Sequence, residues 1–403
     1  MVMAFVVFVA ASAVEASAQS PPEGGPDPAT ERVRIGPVWM NPRIALTNLG
    51  IDTNVFNVPE SQHPQSDFTV TVTPSTNLWL PLGRSWLNAT IKEDVVWYQK
   101  YDSERSANTG YIVNWRLPLN RLIVTLSPKY LSTRERPGYE IDARAQRNEF
   151  GGTGAIELRA LAKTSVAVNA SWAKVSFDKG AVFRGRSLRD ELSRVSLGVG
   201  LSLKHQLTPL TSLSLDASRV QDRFDLSPLR DSDSTVVGGS IAFDPAALLK
   251  GTVRFGYREF QSLSADVPGY QGATASVDLA YTLLGMTRFA VQARRDVSYS
   301  YDVNQPYYLE TGYTASIAQQ IFGPLDIVFR AGRQRLAYRD RAGAVLPFSA
   351  RVDHAGIVGA GVGYHMGRDV RLGFNVDRQE RTSPLPDHEY RALRYGTAVT
   401  YGF

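Results

Sequence analysis

Charged side chains recur at every second position along much of this 403-residue chain, and one parity gathers them into rows. The basic members are Lys92, Arg116, Lys129, Arg159, Lys204, Arg254, Arg258, Arg288, Arg294, Arg330, Arg371 and Arg394. The acids are Asp94, Glu157, Asp216, Asp278, Asp296, Glu310, Asp326 and Asp377. Twelve against eight leaves a mild positive bias, with the arginines concentrated in the C-terminal half. Two kinds of chemistry are open to such rows. Facing acids across water, arginines set a transverse field that favours anions. On neighbouring strands the same charges pair and stiffen a wall. Both arrangements have the same sequence signature.

Other chemistry finds little support. The absence of cysteine excludes a disulfide scaffold, a thiolate metal site and a cysteine nucleophile. His63, His205, His354, His365 and His388 include no pair with metal-ligand spacing on one face. His354, beside Asp353 and near Ser349, is the nearest approach to a hydrolytic group, and an ordinary polar loop is by far the better account of it. Gly359-x-Gly361-x-Gly363 lies within an alternating segment with no helix after it. It reads as a smooth inner wall rather than a dinucleotide loop. The net charge of +5 is scattered among acids, without the basic stripe that nucleic acid requires. We expect no catalysis, cofactor, metal or nucleic-acid partner.

The elements that must carry these rows have period two. In 195–203 every odd residue is Val or Leu and every even one Ser or Gly. Eighteen such segments start near residues 43, 68, 85, 108, 121, 146, 164, 192, 210, 233, 251, 271, 286, 308, 324, 354, 369 and 390. The connections alternate between short turns, such as 118–120 and 322–324, and long polar loops, such as 134–148 and 339–353. A soluble sandwich has no reason to keep that order; a transmembrane antiparallel barrel does, with tight periplasmic turns and long extracellular loops. The fold class expected is therefore all-β, an up-and-down barrel of 18 strands (16 as fallback), with both termini periplasmic. Aromatics fit two girdles: Phe243, Tyr281, Phe322, Tyr364, Tyr401 and Phe403 near short turns, and Phe68, Trp97, Tyr130 and Tyr299 near long loops. By parity Val297, Tyr299, Tyr301 and Leu309 face lipid, and Tyr98, Trp79 and Trp86 face inward. Pro74 calls for a local bulge, and the parity changes near Lys174–Val175. The first strand must pair with 390–403 to close the sheet.

Residues 1–18 are an apolar stretch ending in Ala16-Ser17-Ala18, the pattern of a cleaved export signal. No Lys or Arg precedes it, so a start upstream of Met1 is expected. Residues 19–40 would form a periplasmic extension, and 41–403 the barrel. Val399, Tyr401 and Phe403, at alternate positions of the last segment, resemble the strand that the barrel-assembly machinery reads on outer-membrane proteins. LGIDTNVFNVPES at 49–61, with Asp52, Asn54, Val55 and Phe56, resembles a recurring opening of a family of outer-membrane β-barrel porins. Its members often accompany exopolysaccharide synthesis and export genes. The resemblance implies an outer-membrane location, lipid as surroundings, and a link to saccharide export. On this reading the chain is a conduit for polar or anionic solutes, an anionic saccharide among them. Arg254, Arg258, Arg288, Arg294, Arg330, Arg371 and Arg394 then line its lumen and set selectivity. The alternative is a plugged structural barrel whose outer loops bind a surface polymer or a partner protein.

Overall fold

The computed structural model describes residue 26 and residues 33–244, 247–367 and 369–402. The expected export signal and Phe403 lie outside the described residues. Eighteen long strands form one closed antiparallel ring. In chain order they are β1 (Val38–Asp52), β2 (Asp67–Leu82), β3 (Ser85–Tyr98), β4 (Ser106–Leu119), β5 (Leu122–Glu135) and β6 (Ala145–Leu161). Next come β7 (Thr164–Phe177), β8 (Arg194–Thr208), β9 (Thr211–Phe224), β10 (Ser232–Phe243), β11 (Leu249–Ser262) and β12 (Tyr270–Leu283). The last six are β13 (Thr287–Tyr299), β14 (Tyr307–Gln320), β15 (Leu325–Arg339), β16 (Val352–Met366), β17 (Val370–Thr382) and β18 (Tyr390–Tyr401). From β2 onward each begins within two residues of its expected start, while β1 begins five earlier. Val33–Ile35 folds back on the start of β1.

The ring closes where β1 meets β18, from Ile44 opposite Tyr401 to Asp52 opposite Arg394. One bulge sits in that seam. Against both neighbours the register of β1 shifts by one residue around Asn48, which takes a φ of 52°. Asparagine tolerates that left-handed backbone better than most residues. The bulge expected at Pro74 is absent: Pro74 faces Ile44 in unbroken register, and the β2–β3 ladder skips two residues and resumes without slipping. Lacking an N–H, Pro74 costs a ladder bond but no shift. The parity change expected near Lys174–Val175 is not a backbone event either. Around these residues β7 keeps register with β6 and β8, its one shift lying at the turn end between Arg159 and Leu161 of β6. Val175 and Phe177 remain on the inner face, where they pack under loops folded into the mouth.

Nine loops gather at one end: L1 (53–66), L2 (99–105), L3 (136–144), L4 (178–193), L5 (225–231), L6 (263–269), L7 (300–306), L8 (340–351) and L9 (383–389). Short turns occupy the other end, several of them through left-handed residues such as Gly83, Asn120 and Gly367. Outward positions such as Leu201, Leu215, Phe255 and Val362 are exposed, as a lipid-facing belt requires. Aromatics border it at both ends: Tyr281, Phe322, Tyr364 and Tyr401 at the turns, and Trp97 against Phe68 and Tyr130 stacked on Tyr111 at the loops. Tyr299 is an exception to the expectation. β12 and β13 stop pairing above Ala275 and Arg295, while β13 and β14 stay paired up to Tyr299 and Tyr307. The end of that hairpin lies over the inner-face rings Phe224 and Phe260, so Val297, Tyr299, Tyr301 and Leu309 are covered by protein.

Eighteen strands at ~4.8 Å spacing and ~40° tilt close a ring of roughly 35 Å diameter, too wide for side chains to fill. Leu201 stands at mid-strand on the lipid face, between Val168 and Ala217. Leu201→Arg should lower folding stability in phospholipid vesicles by about 2–4 kcal/mol, read by urea titration of the heat-modifiable folded band on a gel.

Candidate functional site

L3 crosses the lumen. It leaves between β5 and β6 and reaches β15 and β17, on the far side of the ring. Arg381 of β17 donates to the Glu140 carbonyl at 2.8 Å and to the Asp142 carboxylate at 2.9 Å. Gln334 of β15 donates to the Tyr139 hydroxyl at 3.4 Å, and Tyr139 packs on Tyr308, Leu336 and Tyr338. Apolar residues hold the middle: Ile141 is buried with Phe183, Leu188 and Leu192 of L4 and Tyr301 of L7. The short helix Leu188–Leu192 begins at Ser187, whose hydroxyl accepts from the Asp190 amide and caps it.

L3 also joins the other loops. Arg136 donates to the Val55 carbonyl of L1 at 2.7 Å, and Arg144 pairs with Glu104 of L2 at 3.1 Å. Ser300 and Tyr301 of L7 donate to the Glu140 carboxylate at 2.5 and 3.2 Å. Arg351 of L8 lies 4.0 Å from Glu140, with its guanidinium over the Tyr338 ring. Arg230 of L5 ties Glu191 of L4 to the Ser300 carbonyl. Arg184 of L4 donates to the Asp387 carbonyl of L9, and the Ala342 amide of L8 to the Asp266 carbonyl of L6. Beside this cap Val55, Phe56, Glu104, Asp142, Arg144 and Phe183 line a cleft of about 230 Å³. Burial dominates the electrostatics here. It raises the Glu140 carboxyl to about 7 against Arg351, Ser300 and Arg381, and lowers His388 of L9 to about 3, with Arg184, Arg351 and Arg381 adding to the fall.

Below the cap the inner wall is charged. Arg258 donates to Asp296 at 2.5 Å, Arg371 to Asp326 at 2.6 and 2.8 Å, and Arg394 to Asp52 at 2.9 Å. Arg330 pairs with Asp377 across β16, directly over Gly359. A Cβ at Gly359 would fall on the Asp377 carboxylate, so the glycine lane exists to let that pair bridge two strands. Gly361 and Gly363 are likewise overlain by Asn375 and Arg371. Arg288 and Arg294 have partners as well, and Arg294 faces Glu310 electrostatically. Arg254 differs. It is exposed on the inner wall between Ser240 and Ser276, and has no ion-pair partner among the described residues.

The remaining candidates disperse. His354 and Asp353 sit on opposite faces of β16, with Asp353 engaged by Arg381, Arg351 and Ser383, so no hydrolytic group forms. No cluster among the described residues could hold a metal ion. Tyr98 lies inside, but Arg144 covers its ring and donates to its hydroxyl at 2.8 Å. Val399 and Tyr401 stand at alternate positions at the turn end of β18. Sequence reading missed Glu140, Asp142, Arg351 and Arg381; the one signal for them was apolar Tyr139 and Ile141 inside a polar loop.

The model of a family described as "Putative beta-barrel porin 2" matches residues 28–403. Solved structures similar to this chain include a BenF-like porin from Pseudomonas fluorescens Pf-5, at 10% identity and TM-score 0.46, covering 91% of this chain and 98% of that one. The outer membrane protein opdK from Pseudomonas aeruginosa is 11% identical at TM-score 0.46, covering 90% and 98%. OccK2 (OpdF) of Pseudomonas aeruginosa, in complex with glucuronate, is 9% identical at TM-score 0.47, covering 90% and 97%. No curated protein sequence matches.

Glu140 makes the L3 cap pH-dependent. Its folded value of about 7 exceeds its ordinary 4.5, so the packed loop favours the protonated acid. That contribution is complete below about 4.5 and is lost as pH rises through about 7. Hydrogen-exchange protection of residues 136–144 should therefore fall between pH 5 and pH 8, and Glu140→Gln should remove that fall.

Proposed function

The chain belongs to the family described as putative beta-barrel porin 2, and we propose that it is a conduit for small polar solutes, sieved at L3 and biased toward anions. It is a porin-like outer-membrane β-barrel. The observation that carries the proposal is the contrast between cap and wall. The cap consumes its charges in buried pairs, while the inner wall beneath it leaves Arg254, Ser276 and Asp278 exposed in a ring too wide to fill. Arg254 and Arg294 share one row of the inner wall, with Ser276 between them. Arg254, the member without an acid partner, can act on a passing ion at full strength.

The substrate reading extends to anionic saccharides, the class that a link to exopolysaccharide export would supply. Charge rather than ring stacking would recognise them, since Arg144 covers Tyr98. The long loops would face the exterior and both termini the periplasm, an orientation supported by the even strand number and the short turns at the end where the chain begins and ends. The strand bearing Val399, Tyr401 and Phe403 would be the one the assembly machinery engages. A second reading, a capped barrel whose loops bind a surface polymer, is favoured by the web of contacts among L1–L9.

Planar bilayers separate the two readings. A conduit gives conductance steps with a weak anion preference in dilute KCl, shrinking near 1 M salt, where the Debye length falls to ~3 Å. A capped barrel gives steps only once residues 138–143 are removed. Arg254→Gln should shift the reversal potential toward cations and leave the fold intact. Orientation has its own test, since the chain contains no native cysteine. Val345→Cys, at a fully exposed tip of L8, should react in intact cells with a maleimide that cannot cross membranes; labelling only after lysis would reverse the orientation.

A further inference from the structure

The lipid-facing side of β13–β18 carries a basic surface that the conduit does not use. Two cross-strand rows compose it, just loopward of the exposed apolar residues Phe329 and Val358. The upper row runs Arg295, Thr311, Arg335, His354 and Thr382 in register. The lower runs Tyr313, Arg333, Gly356, Glu380 and Arg391. Arg295 donates only to neutral oxygens, the Ala273 carbonyl at 3.2 Å and the Thr311 hydroxyl at 3.0 Å. Arg333 and Arg335 are exposed and have no ion-pair partner among the described residues; the positive charge nearest His354 is theirs. Two acids touch the surface without pairing to Arg333 or Arg335: Glu380, within the lower row, pairs with Arg378 at 3.3 Å, and Glu60 of L1 takes up Arg391 at 3.5 Å. Around the ring the same height is treated differently. On β9, Arg219 and Arg223 both clamp Asp233 of β10, at 2.9 and 2.7 Å, so that outward charge is neutralised within the protein.

We propose that Arg333 and Arg335, with Arg295 beside them, bind the phosphate groups of a phosphorylated lipid in the outer leaflet. Guanidinium offers a planar fork that suits phosphate oxygens, and a pair bordering hydrocarbon is screened less than one in open water. Acyl chains would lie down Phe329 and Val358 while the headgroup meets the arginines. Tyr313, exposed beside Arg333, stands at the interfacial height that aromatic side chains favour. Placing this lipid in the outer leaflet rests on the orientation proposed above; the chemistry of the site does not.

The test uses the full-length barrel in neutral detergent and bis-phosphorylated lipid A as probe, with lipids retained on the protein counted by native mass spectrometry. Arg333→Gln with Arg335→Gln should weaken retention at least about tenfold, the loss expected from one or more charge-assisted hydrogen bonds. Arg333→Lys with Arg335→Lys should recover part of it, and heat-modifiable migration shows that each variant is folded. Dephosphorylated lipid A should bind the wild-type barrel no better than the phosphorylated form binds the glutamine variant. Equal retention by both proteins, or of both lipids, would overturn the proposal. So would displacement of the lipid by millimolar inorganic phosphate, which would make this a free-phosphate site. Binding in detergent is indifferent to orientation, and Val345→Cys labelling is indifferent to these arginines, so the two readings can fail separately.

Discussion

No backbone amide can be left unpaired in hydrocarbon, and this structure follows from how the chain meets that demand. An open sheet would present two edges to lipid, so β1 must find β18 across more than 300 residues of sequence. The seam is also where the ladder is least regular. Asn48 absorbs one extra residue there, and Gly50 and Gly396 let the two backbones approach so closely that a Cβ on either would strike the other strand. Closure fixes the strand number, the strand number fixes a ring of roughly 35 Å, and a ring that wide must be narrowed by something other than its wall. The loops meet that need.

The inner wall solves a second problem, how to keep many charges in a confined space. Most are held in pairs, and several pairs reach over an intervening strand. Arg330 and Asp377 can do this only because Gly359 contributes no side chain between them. Pairing leaves the wall polar enough to hold water, while the field that a passing solute would meet comes from the few charges left over. A census of inward arginines therefore overstates the positive field. In the proposed conduit the arginine that would count is Arg254, whose strand neighbours are Ser240 and Ser276.

Much of the fold could be read from the sequence, because lipid on one side and water on the other impose strict alternation. Strand starts, the order of turns and loops, and the β1–β18 seam all follow from period two. Most of the misreadings share one cause. At Val175, Phe177, Val297, Tyr299 and Tyr301 an apolar side chain is covered by folded-in loops rather than by lipid, and parity cannot tell these coverings apart. The error at Pro74 was of another kind: a missing N–H costs one bond, and the neighbouring ladders held register without a bulge. The ion pairs were readable only as a choice between two arrangements, since a side chain two strands away is invisible to a linear pattern.

L3 shows why the site was the hardest part to read. Its sequence is polar and charged, the usual mark of a solvated loop, yet Glu140, Ile141 and Asp142 are buried. Burying carboxylates is costly unless each finds donors, and the donors come from distant places: Arg381 on β17, Arg351 in L8, Ser300 in L7. Apolar Tyr139 and Ile141 signal that the loop packs, but nothing local records which residues it meets, because each partner alone looks like a surface residue. The same arrangement separates two tasks within one barrel. Charges spent on holding L3 in place are unavailable to a passing solute, so in the proposed conduit the cap would discriminate by size. Discrimination by charge would then fall to the wall below, where Arg254 is exposed and has no ion-pair partner among the described residues.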